Sequence, residues 1–314
     1  MKCRVVSLLA ALLIASLPAW AADVEAVVTD LEGNRVSGLS AGDFRLRVDG
    51  AEVPIDCFEE VAAGTVGRSF LVFVDDSLAS AVQRDLVLWE IERDLDRLGP
   101  GDRMAIVAFD GAALHRLADW TGDHAVLAAA FAAARRPPAG SVPELPEDQA
   151  AILAADAADA AAEALRELPL PAGRRAMLVL SGGWPAGTLD LVREANRLDY
   201  TLYPVDVPGL DIARTLATPD GELASHDTLV ALAQATGGRP ALDSARLAAL
   251  RQAEEDTRSW YQIGFSPSGD NHHRIELEVR LPGLSVRARH SLSGPQPAVL
   301  AGSGTGAQEQ KTGE

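Results

Sequence analysis

Cysteine is nearly absent, with Cys3 and Cys57 the only two in 314 residues. That count excludes a small disulfide-stapled scaffold, which needs several pairs. Cys3 falls in a stretch read below as a leader. Cys57 is then alone in the mature chain, without an intrachain disulfide, and reads as a small buried hydrophobe on one strand face with Val53 and Ile55. Positive charge is also short: 28 Lys and Arg stand against 45 Asp and Glu, a formal net charge of −17. Without Lys2 and Arg4, 26 basic residues face 45 acidic ones, a net −19. Such a surface argues against nucleic acid and against an anionic membrane face, and it suits a cation or a basic protein as partner. Long apolar runs are missing too. The longest, Val5 to Leu17, is too short for a comfortable membrane span, and no stable membrane insertion is expected.

Several chemical signatures are lacking. There is no G-x-S-x-G nucleophile elbow, and "LSGGWPAG" does not supply one. "GSGTG" near the C terminus has no helix after it and reads as linker. Six histidines (115, 124, 226, 272, 273, 290) are scattered, and His272-His273 sits beside Asn271 in an expected turn. No nucleophile is paired with a base. These gaps point away from an enzyme. An exported hydrolase built on Asp75, Asp76 and their neighbours is the least favoured alternative.

What is present begins with a leader. Lys2 and Arg4 precede a short apolar stretch, and Ala19 and Ala21 fit a small-residue cleavage rule, which places the cut after Ala21. No cysteine follows the apolar stretch, so no lipid anchor is expected. The protein is expected to be exported, to a periplasm or to the outside.

From Val24 to Val61 the pattern has period two: Phe44, Leu46 and Val48 face one way, Arg45, Arg47 and Asp49 the other. The middle differs. "SFLVFV", "RMAIVAF", "AMLVLS" and "TLYPVDV" are near-continuous apolar runs, as in strands buried on both faces of a parallel sheet. Amphipathic or Ala-rich helices separate them, over 81–98, 147–167, "LDLVREANRL" and "DTLVALAQATGG", with a last one near 243–258. Period two returns in "HRIELEVRLPGLSVRARHSL". Neither flanking β segment can bury a good core alone. The expected architecture is α/β: a doubly wound, mostly parallel sheet flanked by a small β-sandwich from both ends of the chain. The expected parts are a leader (1–21), an N-terminal β segment (22–64), an α/β domain (65–258), a C-terminal β segment pairing with the first (259–292), and a disordered tail (293–314).

"LVFVDDSLAS", residues 71–80, is an apolar run ending in carboxylates and hydroxyls, the outline of a strand delivering oxygen ligands to a hard cation. In order and spacing, this stretch together with "GPGDRMAIVAFDG", "GRRAMLVLSGGWPAG", "LAQATGGRPAL" and the closing "WYQIGFSPSGDNHHRIELEVRLPGLSVRARHSL" resembles the secreted von Willebrand factor A (vWA)-related proteins of bacteria, common among acidobacteria. The N-terminal "VVTDLEGNRVSGLSAGDFRLRVDGAEVPIDCFEEV" is similar to that family's opening module. The likeness covers Ala22 to Leu292 and implies a vWA fold with its ligand site at the carboxyl edge of the sheet.

It further implies a metal-ion-dependent adhesion site, in which a D-x-S-x-S loop, a Thr and a later Asp hold Mg²⁺. Here Asp75 and Ser77 match the first two positions. Ala79 takes the third and has no oxygen; Ser80 is one residue late. Ser141 is a poor stand-in for the Thr, and Gly182 stands where the second Asp belongs. The expectation is a remnant site with no cofactor, and a Mg²⁺-dependent adhesion module is its alternative. Asp76, Ser80, Ser141 and Trp184 are expected to form a partner-binding rim, with Trp184 either an exposed anchor or folded down over the vacated pocket. The function read from these residues is non-enzymatic protein binding or scaffolding, with the partner unidentified.

Overall fold

The computed structural model describes residues 22–77, 79–136, 147–184, 188–207, 219–267 and 272–293. The leader, Ser141 and the tail beyond Ser293 lie outside them. In chain order the strands are β1 (Ala22–Thr29), β2 (Phe44–Val48), β3 (Ala51–Glu52), β4 (Cys57–Val61), β5 (Arg68–Asp75), β6 (Arg103–Phe109), β7 (Leu114–Thr121), β8 (Arg174–Ser181), β9 (Tyr200–Asp206), β10 (Trp260–Phe265), β11 (His272–Val279), β12 (Ser285–Arg287) and β13 (Ser291–Ser293). The helices are α1 (Ala81–Arg93), α2 (His124–Ala134), α3 (Glu147–Glu167), α4 (Leu189–Arg197), α5 (Pro219–Thr236) and α6 (Ala249–Thr257).

The four continuous apolar runs become β5, β6, β8 and β9. They pair in parallel, and β7 closes one edge antiparallel, in the order β7-β6-β5-β8-β9. Counted within this sheet the order is 3-2-1-4-5, that of a doubly wound fold with its switch point beside β5. Side chains alternate across β5. Phe70, Val72 and Val74 pack with Val87, Leu88 and Ile91 of α1, Phe131 of α2 and Leu250 of α6. Leu71 and Phe73 pack on the other face with the alanines of α3, Leu191 of α4 and Leu232 of α5. Every residue of β5 from Ser69 to Asp75 is buried. At about 1.5–3 kcal/mol per fully buried large apolar side chain, two such faces supply the main stabilisation.

Two elements were not foreseen. β7 mixes exposed and half-buried positions, which hides its period, and α2 is so rich in alanine that its faces hardly differ in polarity. Asp123 caps α2 by accepting from the amides of Ala125 and Val126.

Both ends of the chain meet in a sandwich. One sheet runs β12-β1-β10-β4 and the other β13-β11-β2-β3, with pairs such as Val24 opposite Ile263 and Leu46 opposite Leu277. Its core joins Phe44, Phe58 and Tyr261 with Val24, Ile263 and Ile275. The sandwich sits at the amino-terminal edge of the large sheet, where β5 and β8 begin. Arg174 at the start of β8 reaches Glu25 of β1 at 3.1 Å and covers the Trp260 ring at 4.6 Å. Arg287 of β12 grips Asp256, near the end of α6, through two hydrogen bonds of 2.7 and 2.8 Å. Paired, bidentate and largely buried, these contacts hold the two layers in one relation.

Cys57 corrects one expectation. It is half-buried and disulfide-bonded rather than a lone thiol.

Truncation after Arg258 removes β10 to β13, the partners of β1 and β2. Amide protons across Phe44–Val48 are then expected to exchange at the rate of unfolded chain, measured by hydrogen–deuterium exchange; retained protection would show that β2 is held without β11.

Candidate functional site

The carboxyl edge of the large sheet lies at the opposite pole from the sandwich. Asp75 closes β5 there and is 1% exposed. Burying a carboxylate without partners costs several kcal/mol, so the surrounding chain must supply donors. Ser77 gives two: its amide donates to Oδ1 at 3.1 Å, and its hydroxyl donates to the same oxygen. On Oδ2, the Ser181 hydroxyl at the end of β8 donates at 2.9 Å and the Trp184 indole Nε1–H at 2.9 Å. Trp184 is fully buried, and its ring meets Phe73 edge-on, 6.3 Å between centroids. The fold-back of the chain uses Gly183, whose φ of 94° suits glycine, and whose amide donates to the Ser181 hydroxyl at 3.2 Å.

The loop after β6 seals the other side. Gly111 has φ +93°, and a side chain there would come within 3.2 Å of Leu153 and 3.4 Å of Ser77. Asp76 donates its amide to the Phe109 carbonyl at 2.8 Å, while its carboxylate accepts from Arg84 Nη1 at 2.8 Å. Arg84 is itself 2% exposed and also donates from Nε to Asp85 at 2.9 Å.

Burial pushes the Asp75 carboxyl above its ordinary range, against the pull of the donors from Ser77, Trp184 and Ser181. Burial also raises Asp76, to about 6, with the Arg84 guanidinium opposing the rise. Asp206, at the end of β9, is raised by burial as well, and His226 at 3.4 Å counteracts this. Three carboxyls at one edge are thus all shifted upward by desolvation.

The residues present do not fit Mg²⁺. The ion requires about six oxygens in octahedral array. Both Asp75 oxygens are already engaged by donors, and an indole N–H offers no lone pair to a cation. Ala79 and Gly182 bring no side-chain oxygen, and among the described residues no three His, Cys, Asp or Glu gather into a possible metal group.

The expected partner-binding rim also changes. Trp184 is folded down over Asp75. Ser80, where α1 starts, is 6% exposed, and the Asp76 side chain is 9% exposed and tied to Arg84. Ser141 lies outside the described residues. For Trp184 the physical reason is the inward-facing Asp75 carboxylate, which its indole N–H satisfies, and for Asp76 it is the buried Arg84 guanidinium. Arg84 and Ser181 belong to this cluster without having been singled out. Arg84 shares the 84, 88, 91 spacing of the buried face of α1, and an arginine on an apolar stripe is a signal for a buried partner.

Replacing Trp184 by Phe keeps the apolar bulk and deletes one donor to a buried carboxylate, with an expected loss of about 1.5–3 kcal/mol in urea unfolding. In an Asp75→Asn background the same change is expected to cost clearly less, and equal costs would show that the indole and the carboxylate do not interact. For Asp76 the folded value near 6 lies above the usual 3.8. Its contribution is therefore full below about pH 4 and lost as pH rises through 6. Between pH 4 and 7 wild type is expected to lose about 2–3 kcal/mol relative to Asp76→Asn, from melts across pH.

No family model matches the chain, and none of the curated proteins matches it. Among solved structures, an aerotolerance-related membrane protein from Bacteroides fragilis aligns over 60% of this chain and 98% of its own at 15% identity, TM-score 0.40. The SpRpn10 VWA domain aligns over 60% and 97% at 12% identity, TM-score 0.36. The vWF domain of the type V pili tip protein Mfa5 from Porphyromonas gingivalis aligns over 38% and 39% at 20% identity, TM-score 0.28. The doubly wound α/β character of the chain rests on its own strand order, 3-2-1-4-5 with an antiparallel edge, and on the helices covering both faces.

Proposed function

We propose that the protein is an exported, non-enzymatic binding or scaffold module whose adhesion-type site is degenerate and works without a metal ion. The observation that carries this reading is the closed donor set on Asp75: Ser77, Ser181 and Trp184 occupy the oxygens that a cation would need. Neutralisation by hydrogen bonds takes the place of neutralisation by charge. Hydrolytic chemistry finds little support at the same place, because the two serine hydroxyls on Asp75 are themselves buried, Ser77 2% and Ser181 0% exposed, and Asp76 is held by Arg84. Export is supported by the basic, apolar and small-residue pattern of residues 2–21.

Millimolar Mg²⁺ is expected to leave the melting temperature unchanged. A site filled at a hundredfold excess over its Kd would add about 2.7 kcal/mol, several degrees for a domain of this size. Ala79→Ser with Gly182→Asp is expected to remain blind to Mg²⁺ while Trp184 is in place, and to gain a Mg²⁺-dependent rise once Trp184→Ser is added. A rise in wild type that Asp75→Ala abolishes would replace this reading with the metal-dependent module. Capture of a partner from envelope extract is expected to persist in EDTA.

The export reading has its own test. Protein recovered from outside the cytoplasm is expected to begin at Ala22, read by N-terminal sequencing. Recovery of only the full-length chain would count against processing.

A further inference from the structure

α1 has two apolar faces. Val87, Leu88 and Ile91 are buried against the sheet. Val82, Leu86 and Trp89, spaced i, i+4 and i+7, are 75%, 42% and 61% exposed. The other large exposed hydrophobics among the described residues each stand alone on their own element or loop. Scattered apolar residues need no explanation, but an aligned triplet on one helix does. At 1.5 Å rise per residue it forms a stripe about 10 Å long, two helical turns. Trp89 is also fixed in place. The Arg135 guanidinium lies 4.8 Å from its ring centroid, and Glu92 holds Arg135 at 2.6 Å. A tryptophan set in position before contact loses little side-chain entropy on docking and suits an anchor role.

Charge narrows the occupant. Beside the stripe, Asp85, Glu90 and Glu92 are paired with Arg84, Arg93 and Arg135, and just beyond it the Asp96 side chain, 3.4 Å from His124, is 93% exposed. The chain as a whole carries −17, which sets a second copy against its own repulsion and favours a basic partner. A two-turn stripe of i, i+4, i+7 spacing is the seam that one helix offers another.

We propose that the outer face of α1 docks an amphipathic helix of a partner protein, its apolar seam flanked by arginine or lysine. This rests on the protein-binding reading above and moves the contact from the carboxyl edge of the sheet to the side of the domain. A contact this small makes a weak, salt-sensitive complex, with Kd on the order of micromolar or above.

The probe is a synthetic helical peptide with leucines at i, i+4 and i+7 flanked by arginines, set against the same peptide with glutamates in their place, both titrated by calorimetry into the whole protein. The arginine peptide is expected to bind and to weaken as salt rises, and the glutamate peptide to bind at least tenfold more weakly. Trp89→Ala and, separately, Leu86→Ser are expected to reduce binding at least tenfold. Both positions are exposed, and unchanged melting curves would show the fold intact. No binding, or equal binding by the Trp89 and Leu86 variants, overturns the proposal. So does a sedimentation shift from dimer to monomer in Trp89→Ala, which would make a second copy the occupant. Envelope partners captured equally by wild type and Trp89→Ala would sink the docking face while sparing the protein-binding reading; no capture by either would remove both.

Discussion

One buried carboxylate governs the carboxyl pole of this molecule. Asp75 ends the central strand, so it sits where two apolar layers meet and water does not reach. A charge in that position has to be balanced locally. In a metal-bearing arrangement a cation does so; here a serine two residues on, a serine at the end of the neighbouring strand and a tryptophan beyond it do so instead. The course of the chain after β8, the positive φ of Gly183 and the complete burial of a tryptophan on a loop all follow from that requirement. Next to it, Asp76 and Arg84 repeat the theme as an ion pair, so the pole is closed by polar groups that satisfy one another.

The large sheet was readable in the amino acids because strands buried on both faces admit few polar residues. "RMAIVAF" coincides with β6, and residues 147–167 coincide with α3. β7 and α2 lacked contrast between their faces, and contrast is what periodicity detects. The sandwich was legible from its alternation, together with the argument that neither half could stand alone. At the site, Asp75, Ala79 and Gly182 are visible as letters, but the donors that gather on Asp75 are not. Trp184 and Asp75 are 109 residues apart, and Ser181 and Asp75 are 106 apart. A contact across such a separation exists only once β5 and β8 lie side by side.

The two poles are built by different chemistry. At the amino-terminal edge, arginines from both layers meet carboxylates and helix-terminal carbonyls: Arg174 and Arg35 both donate to the Asp256 carbonyl, and Arg287 takes its side chain. Planar guanidinium groups with several donors suit a seam where backbone and side-chain acceptors converge. At the carboxyl edge, Asp75 is met by neutral donors and Asp76 by Arg84.

The sandwich also sets an order of events in time. Its central pairing joins β1 to β10, with Asp23 and Gln262 bonded across 239 residues of sequence. No ribosome or translocation channel can release both strands together. The α/β domain, whose strands and helices alternate over short distances, is free to condense first, while β1 waits for β10 and β12, and β2 has only the short β3 beside it, through the emergence of nearly the whole chain. Closing so long a loop is slow, and an unpaired strand is prone to wrong partners in the interval. The first strands to appear are therefore the last to become native. A chaperone that shields extended segments would find its task at the start of this chain rather than in its more apolar middle.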